Sequence, residues 1–335
     1  MKLLLTGASG FIGNYFINKY SEKYNVQKFS FLNDNFNALH VEGVDFVIHL
    51  SALVHQMGGA SSDEYDRINV VQTLDLARKA KESGVKQFVF MSSVKVYGEE
   101  SESAYSEDTV CEPQDEYGKS KLKAERELQK LEDDDFIVSI VRTPIVYGYG
   151  VKANIKNLVS LVSKVPVLPF GGIENRRSMV YVGNLCWLVD LVIGFRVKPG
   201  MTNGEPGMMN GEAGVTNDNP GVTNDEPGVT NSEASGVFLA SDAKPLSTTR
   251  LIELIADGLG KKVYLIHVPF FESFLKLVKP SFYKRLYGSL EVDASLTLKR
   301  LVAAGYSEAE ATPPFSVEDG IGLMLKSDII LMTRH

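Results

Sequence analysis

This chain predicts a doubly wound α/β fold, with a mostly parallel sheet covered by helices on both faces, on three observations. An apolar run, a glycine turn and a helical stretch follow one another at the N-terminus. Apolar runs of strand length then alternate with segments of helical period. With 44% apolar and 23% charged residues among 335, the chain has the composition of an ordinary globular protein of about two domains.

The first strand is Lys2-Leu-Leu-Leu-Thr6. Three leucines fall short of the ~7–15 apolar residues of a secretory signal, so the run reads as a strand. Gly7-Ala-Ser-Gly10-Phe-Ile-Gly13 comes next, then a helical stretch over residues 14–23. The three glycines have separate tasks. Gly7 permits the tight turn, Gly10 lets backbone amides approach a pyrophosphate at the positive end of the helix, and Gly13 lets helix and strand pack closely. Phe11 and Ile12 are expected on the buried side. Residues 26–32, 45–50, 86–91 and 136–141 read as further strands, with helices over 63–83 and 117–131 between them.

Residues 1–142 are thus expected to form a dinucleotide-binding domain of Rossmann-like type. Past them the pattern loosens, with strands over 237–240 and 263–268 and helices over 184–193 and 247–259. Residues 143–331 are read as mostly a smaller mixed α/β substrate domain, interleaved with the sheet. Residues 200–234 carry five copies of a seven-residue repeat: GMTNGEP, GMMNGEA, GVTNDNP, GVTNDEP, GVTNSEA. Glycine at each first position and recurrent proline exclude a coiled coil, so the segment reads as a surface insertion. An acidic calcium-binding array on Asp218, Asp225 and Glu226 is the competing reading, but no ligand spacing supports it.

A net charge of -7 and the lack of a basic run argue against a nucleic-acid partner. Asp190 interrupts the apolar stretch 185–195, which falls short of the ~18 residues a membrane span needs, so no membrane partner and a cytoplasmic location are expected. Only Cys111 and Cys186 are present, and the five histidines are scattered, which predicts neither a disulfide scaffold nor a metal site.

The chemistry concentrates in Tyr117-Gly-Lys-Ser-Lys121. Four residues of helix separate Tyr117 from Lys121, which puts a phenol and an ammonium on one face. A fixed cation there is expected to lower the phenol from its usual ~10 and make it a general base. Upstream, the apolar strand ends in two hydroxyls, Ser92 and Ser93, either of which completes a triad.

Together with Val47-Ile-His-Leu-Ser-Ala52, Asn69, Ser92-Ser93-Val-Lys-Val-Tyr-Gly98 and Arg177-Ser-Met-Val-Tyr-Val-Gly-Asn-Leu185, these motifs resemble the extended short-chain dehydrogenase/reductases of the NAD-dependent epimerase/dehydratase family. The resemblance covers nearly the whole chain outside the repeats. It implies Ser93, Tyr117 and Lys121 as catalytic, with Lys121 also on the nicotinamide ribose. For the cofactor it implies Gly7, Gly10, Phe11, Ile12, Gly13, Ser30, Leu50, Ser51, Ala52, Asn69 and Pro144, beside Tyr117 and Lys121. For the substrate it implies Ser93, with Asn154 and Arg177 on a diphosphate and Arg285 as a further contact. NAD is the implied cofactor, a UDP-sugar the implied substrate, and a homodimer is compatible with it.

The chain departs from the family pattern in three places. Val94-Lys95 stand where dehydratases of the family carry Asp-Glu, which disfavours water elimination. The second strand ends in Phe29-Ser30-Phe31, with Lys28 and Asn33 nearby, rather than in the acid that holds a ribose 2′-hydroxyl, so NADP is open beside NAD. Arg142-Thr-Pro-Ile145 replaces an Arg-x-x-Asn pattern common in epimerases. The expected activity is epimerisation at C4 of a UDP-hexose through a 4-keto intermediate. Its rivals are reduction of a UDP-4-keto-6-deoxy sugar and a non-catalytic dinucleotide sensor.

Overall fold

The computed structural model describes residues 1–54, 60–152, 154–194 and 235–332. The heptapeptide repeats, and with them both readings of residues 200–234, lie outside the described residues, as do His55 and His335.

The chain opens with β1 (Lys2–Thr6), α1 (Phe11–Tyr20), β2 (Asn25–Phe29), a single 3-10 turn at Phe36–Ala38 and β3 (Phe46–His49). The expected first helix is thus present but starts three residues early, because Gly10 in extended conformation is its N-cap. The expected long second helix is α2 (Ser62–Tyr65), a π-helical segment (Asp66–Val71) and α3 (Gln72–Glu82) run together. β4 (Gln87–Ser93), α4 (Glu116–Gln129) and β5 (Ile137–Thr143) come next. β4 and β5 are buried at all seven positions, the continuous burial that parallel strands covered on both faces require.

Beyond β5 come β6 (Ile145–Tyr147), α5 (Asn154–Lys164), β7 (Val167–Leu168), β8 (Met179–Tyr181), α6 (Val182–Gly194), β9 (Gly236–Leu239) and α7 (Thr248–Gly258). The chain then forms β10 (Tyr264–Leu265), α8 (Phe271–Val278), α9 (Pro280–Tyr287), α10 (Ser295–Ala303) and α11 (Val317–Met332). The expected strand over 263–268 is therefore only two residues long.

The main sheet is parallel throughout, in the order β2-β1-β3-β4-β5-β9. Its last strand comes from far along the chain. The first crossover runs one way from β1 and all later ones the other way, so a crevice opens outside the C-terminal ends of β1 and β3, where such folds bind their ligands. Two parallel pairs, β6 with β8 and β7 with β10, build the wall facing that edge.

One core lies on each side of the sheet. Leu3, Leu5, Phe16, Ile48, Val89 and Val141 pack towards α1 and α6. Leu4, Val47, Phe88, Phe90, Val138 and Ile140 pack towards α3 and α4. A buried carboxylate ties the C-terminal elements on: Asp242 accepts from Tyr147 Oη and Asn184 Nδ2, both at 2.7 Å.

Candidate active site

The strand tips carry the sequence motifs into one crevice. After β1 the backbone turns at Gly7 (φ +70), and a Cβ there would stand 3.0 Å from Leu50 C and Ser51 N, so only glycine lets the two turns meet. At Gly13 a Cβ would lie 2.4 Å from Gly7 O, which fixes how closely α1 seats on the turn. No side chain caps the first turn of α1, and no acid sits in it. Its amides are left for an anion at the positive helix end.

Ser30, Gly7, Gly10 and the half-buried Leu50, Ser51 and Ala52 lie at the tips of the adjacent strands β2, β1 and β3. These residues fit a dinucleotide. Phe11 and Ile12 are half-buried and pack against the core rather than being enclosed by it, a smaller burial than the sequence suggested. The acid missing from the second strand is recovered four residues on. Asp34 folds back so that its carboxylate accepts from Ser30 N at 2.8 Å while staying exposed at the tip of β2.

A chain of neutral hydrogen bonds links this crevice to α4. Ser51 N donates to Thr6 Oγ1, and Thr6 Oγ1 lies 2.8 Å from His49 Nδ1. His49 Nε2 lies 2.9 Å from Thr73 Oγ1, whose own proton goes to Asn69 O. The His49 proton is therefore on Nε2. Burial drives this imidazole down to about 3, with Lys121 nearby adding to the effect, so it is neutral at any ordinary pH. Asn69, fully buried, holds Leu53 through both ends of its amide and donates to Ser120 Oγ on α4. With its amide so engaged, Asn69 positions the loop after β3 against the catalytic helix.

Asp115 caps α4 by accepting from Gly118 N at 2.7 Å. The glycine of Tyr117-Gly-Lys-Ser-Lys121 has a steric cause, for a Cβ at Gly118 would sit 2.6 Å from Lys95 O. Ser93 ends β4 at 9% exposure and caps the short 3-10 turn Val94–Val96 by accepting from Lys95 N. Of the two hydroxyls, Ser93 stands close enough to Tyr117 to favour its phenolate, whereas Ser92 donates to Glu125. Tyr117 also packs against Tyr65, ring centroids 6.3 Å apart.

The electrostatics depart from the sequence reading. Burial pushes the Tyr117 phenol up to about 12, against a lowering by Ser93, and Asp115 and Tyr65 push the same way as burial. Lys121 does not offset this, because its own charge is desolvated. It is 2% exposed, donates to Met91 O at 2.8 Å, lies 4.4 Å over the Phe90 ring and is lowered to about 7. Glu125, one turn further along α4, raises it only partly. Glu125 in turn takes a bidentate pair from Arg142 Nε (3.1 Å) and Nη2 (2.6 Å), and Arg142 Nη1 donates to Tyr97 Oη at 2.7 Å. Tyr117, Lys121 and Glu125 thus form one stripe at spacings of four. Only the first two were singled out in the sequence, though the third obeys the same spacing.

Next to Ser93 opens a cleft of about 340 Å³ whose walls include Pro144, Asn154, Arg177 and Arg285. A second, more apolar hollow of about 360 Å³ adjoins it, sharing Ile145, Asn154, Arg177 and Arg285 and walled by Ile155, Leu158, Phe170 and Leu286. The residues expected at the substrate come together here. Arg177 has a second task, since its Nη1 donates to the carbonyls of Lys284, Arg285 and Gly288 and so caps the end of α9. The cleft also holds Lys95, which the sequence set where dehydratases carry an acid, and Glu99, Ser281 and Lys284, which sequence reasoning did not place. Lys95 bonds Glu99 at 2.8 Å and Asp115 at 3.0 Å, a zwitterionic patch where dehydratases carry two acids. The spacing of Ser281, Lys284 and Arg285, three and four apart after a helix-starting proline, was the available signal. Among the described residues no group of His, Cys, Asp and Glu is placed to hold a metal, and no helix is long and apolar enough to cross a membrane. Cys111 and Cys186 are free thiols.

A glycine-cradled crevice at the tips of a parallel sheet, with Ser93, Tyr117 and Lys121 beside it, is the arrangement of a nucleotide-binding enzyme. Residues 3–203 match the NAD dependent epimerase/dehydratase family, and the chain belongs to it. It is 32% identical to a UDP-glucose 4-epimerase of Vibrio cholerae, over 95% of this chain and 92% of that protein. It is 28% identical to the N-acetyl-alpha-D-glucosaminyl-diphospho-ditrans,octacis-undecaprenol 4-epimerase of Escherichia coli O157:H7, over 55% of this chain and 60% of that one. The fold is that of the UDP-glucuronic acid 4-epimerase of Bacillus cereus, solved with NAD (TM-score 0.68, 18% identity, 99% of each chain). It is also that of a UDP-glucose 4-epimerase of Thermotoga maritima, solved with UDP-glucose (TM-score 0.67, 20% identity, 99% and 100% of the chains).

Proposed function

We propose that this chain is an NAD-dependent epimerase acting at C4 of a UDP-hexose. The observation that carries the reading is the position of Tyr117 and Ser93, with Lys121 behind them, where the glycine-built crevice meets the cleft lined by Asn154, Arg177 and Arg285. A nicotinamide dinucleotide, when bound, supplies reversible hydride acceptance. Tyr117 takes the proton from the C4 hydroxyl and later returns one, while Ser93 hydrogen-bonds the same oxygen. Lys121 holds the charge that favours phenolate and orients the ribose, and Arg177 and Arg285 grip the diphosphate. The same placement supports residues 1–142 as the dinucleotide half and 143–331 as the substrate half.

The values of about 12 for Tyr117 and about 7 for Lys121 are far from a working base and its cation. A bound dinucleotide, whose ribose hydroxyls can accept from the ammonium, would favour the charged form of Lys121. Asp34 favours NAD, because an exposed carboxylate at the tip of β2 would repel a 2′-phosphate bound nearby. We infer that NADP is the weaker cofactor and that the 4-ketoreductase reading, which leans on it, falls second. A cytoplasmic homodimer completes the proposal.

The test is to denature purified protein, identify the released dinucleotide, and incubate native protein with UDP-glucose and a panel of other UDP-hexoses and 4-keto-6-deoxy sugars. Bound NAD with sustained interconversion of UDP-glucose and UDP-galactose, none added, is the expected result. Stoichiometric consumption of NADPH with a 4-keto sugar, and no interconversion, assigns the reductase. A bound cofactor that never turns over assigns the sensor.

A further inference from the structure

The α8–α9 hairpin carries an apolar face that the rest of the molecule does not cover. Its inner residues Phe271, Leu275 and Leu286 join the core. Phe270, Phe274, Leu277 and Val278 stand outward, 86%, 58%, 84% and 53% exposed. Phe274, Leu277 and Val278, spaced three and four, share one face of α8, and Phe270 immediately precedes its first turn. Isolated exposed apolar residues are ordinary, but a contiguous group this size marks a contact surface.

The backbone makes the same point. Phe270 (φ 63) is the only non-glycine residue with positive φ among the described residues. A left-handed phenylalanine is strained, and the side chain that this strain presents is almost wholly exposed.

Charge identifies the occupant. Of the six basic side chains in residues 261–285, Lys284 and Arg285 belong to the cleft, where Lys284 faces Glu100, while Lys276 and Lys279 stand on α8 and at its end against the single acid Glu272, in a chain whose net charge is -7. Lys276 and Lys279 are exposed among the outward apolar residues of α8. A second copy of this face would bring four lysines, two from each copy, against two Glu272 carboxylates, a poorer charge match than an anionic surface. A surface with an apolar interior and an anionic face matches both features, the pattern of helices lying in a membrane interface.

We propose that the α8–α9 hairpin docks on an anionic lipid bilayer, with Phe270, Phe274 and Leu277 at the headgroup and acyl boundary and Lys276 and Lys279 on the phosphates. The attachment is peripheral, and it narrows the expectation of no membrane partner to one of no spanning segment. Because Ser281 and Arg285 of the same hairpin line the cleft, docking sets the mouth of the active site against the membrane.

Flotation of the full-length protein with phosphatidylcholine vesicles, with and without phosphatidylglycerol, tests this. Binding is expected only to the anionic vesicles and to weaken with salt. The Phe274→Ser, Leu277→Ser double variant should bind on the order of a hundredfold more weakly, and Lys276→Gln or Lys279→Gln roughly fivefold each. Phe270→Gly should weaken binding while raising thermal stability, a pairing that damage to the fold cannot produce. Turnover of a soluble UDP-hexose should stay unchanged in all four variants, so a failed docking test leaves the proposed chemistry standing. The proposal is overturned if wild type floats with neither vesicle, if it binds neutral vesicles equally, or if the double variant binds as wild type does. Dissociation of a dimer by the double variant, without vesicle binding by wild type, assigns the face to a second copy and overturns it too.

Discussion

The two ends of the cleft are built on opposite principles. At the catalytic end, Lys121, Glu125 and Arg142 are nearly inaccessible, and each charge is held by a named neighbour. At the substrate end, Asn154 and Lys284 are exposed and Arg177 and Arg285 half-buried, mostly on short helices. Desolvated groups interact strongly and tolerate no displacement, whereas solvated ones interact weakly and adapt. Substitutions at the first end should therefore act on kcat and folding together, and those at the second on KM.

The sharpest break in this comparison is Tyr117→Phe, which removes only the ionisable oxygen. It should lower kcat by roughly 10³-fold or more while leaving dinucleotide retention and melting temperature near wild type. Near-normal turnover would remove the tyrosine from the mechanism.

Next in size is Glu125→Gln, which leaves the Arg142 guanidinium buried against an uncharged partner. Denaturant titration should give a loss of roughly 3–5 kcal/mol, and joint replacement by Leu at 125 and Met at 142 should recover most of it. If the single variant is as stable as wild type, the buried pair does not hold α4 to β5.

The neutral network around His49 predicts a pH effect of intermediate size. Its folded value of about 3 lies below the unfolded ~6.5, so its contribution is complete above pH ~6.5 and is lost as pH falls towards 3. His49→Gln should flatten the stability profile in that window by up to one proton. An unchanged slope would mean that the imidazole titrates normally and that the hydrogen-bond chain is misassigned.

At the open end, Arg285→Ala should raise KM for the nucleotide sugar about tenfold with kcat within twofold, the loss of one charge-assisted contact. A fall in kcat without a change in KM would place Arg285 at the catalytic end instead. The smallest effect is expected for replacing residues 200–234 by a short Gly/Ser turn, which should leave turnover and stability nearly unchanged. Failure to fold would make the repeats a structural element.

What the sequence disclosed divides along the same line. Elements set by local pattern were legible: the glycine turn, the strands of the sheet, and the spacing that puts Tyr117 and Lys121 on one helix. Properties set by contacts between distant segments were not. That Lys121 is turned to Met91 O, that Asn69 bridges Leu53 and Ser120, and that Arg142 meets Glu125 depends on which elements pack together. Periodicity carries no information on that. Asp34 illustrates the boundary, because its fold-back onto Ser30 is local, yet it became visible only with the turn geometry after β2.

The position of β9 beside β5 has a consequence for how the molecule is made. On the ribosome, β5 is complete once Thr143 has emerged, but the strand that covers its outer edge begins at Gly236. At synthesis rates of roughly 5–20 residues per second, that edge waits on the order of 5–20 s, and the repeat insertion adds to the delay. Through that interval β5, already paired with β4, stands with its outer edge unpaired, a template for its twin on a neighbouring nascent chain. Yield in the cell should therefore depend on translation speed and chaperone supply far more than the stability of the finished enzyme would suggest.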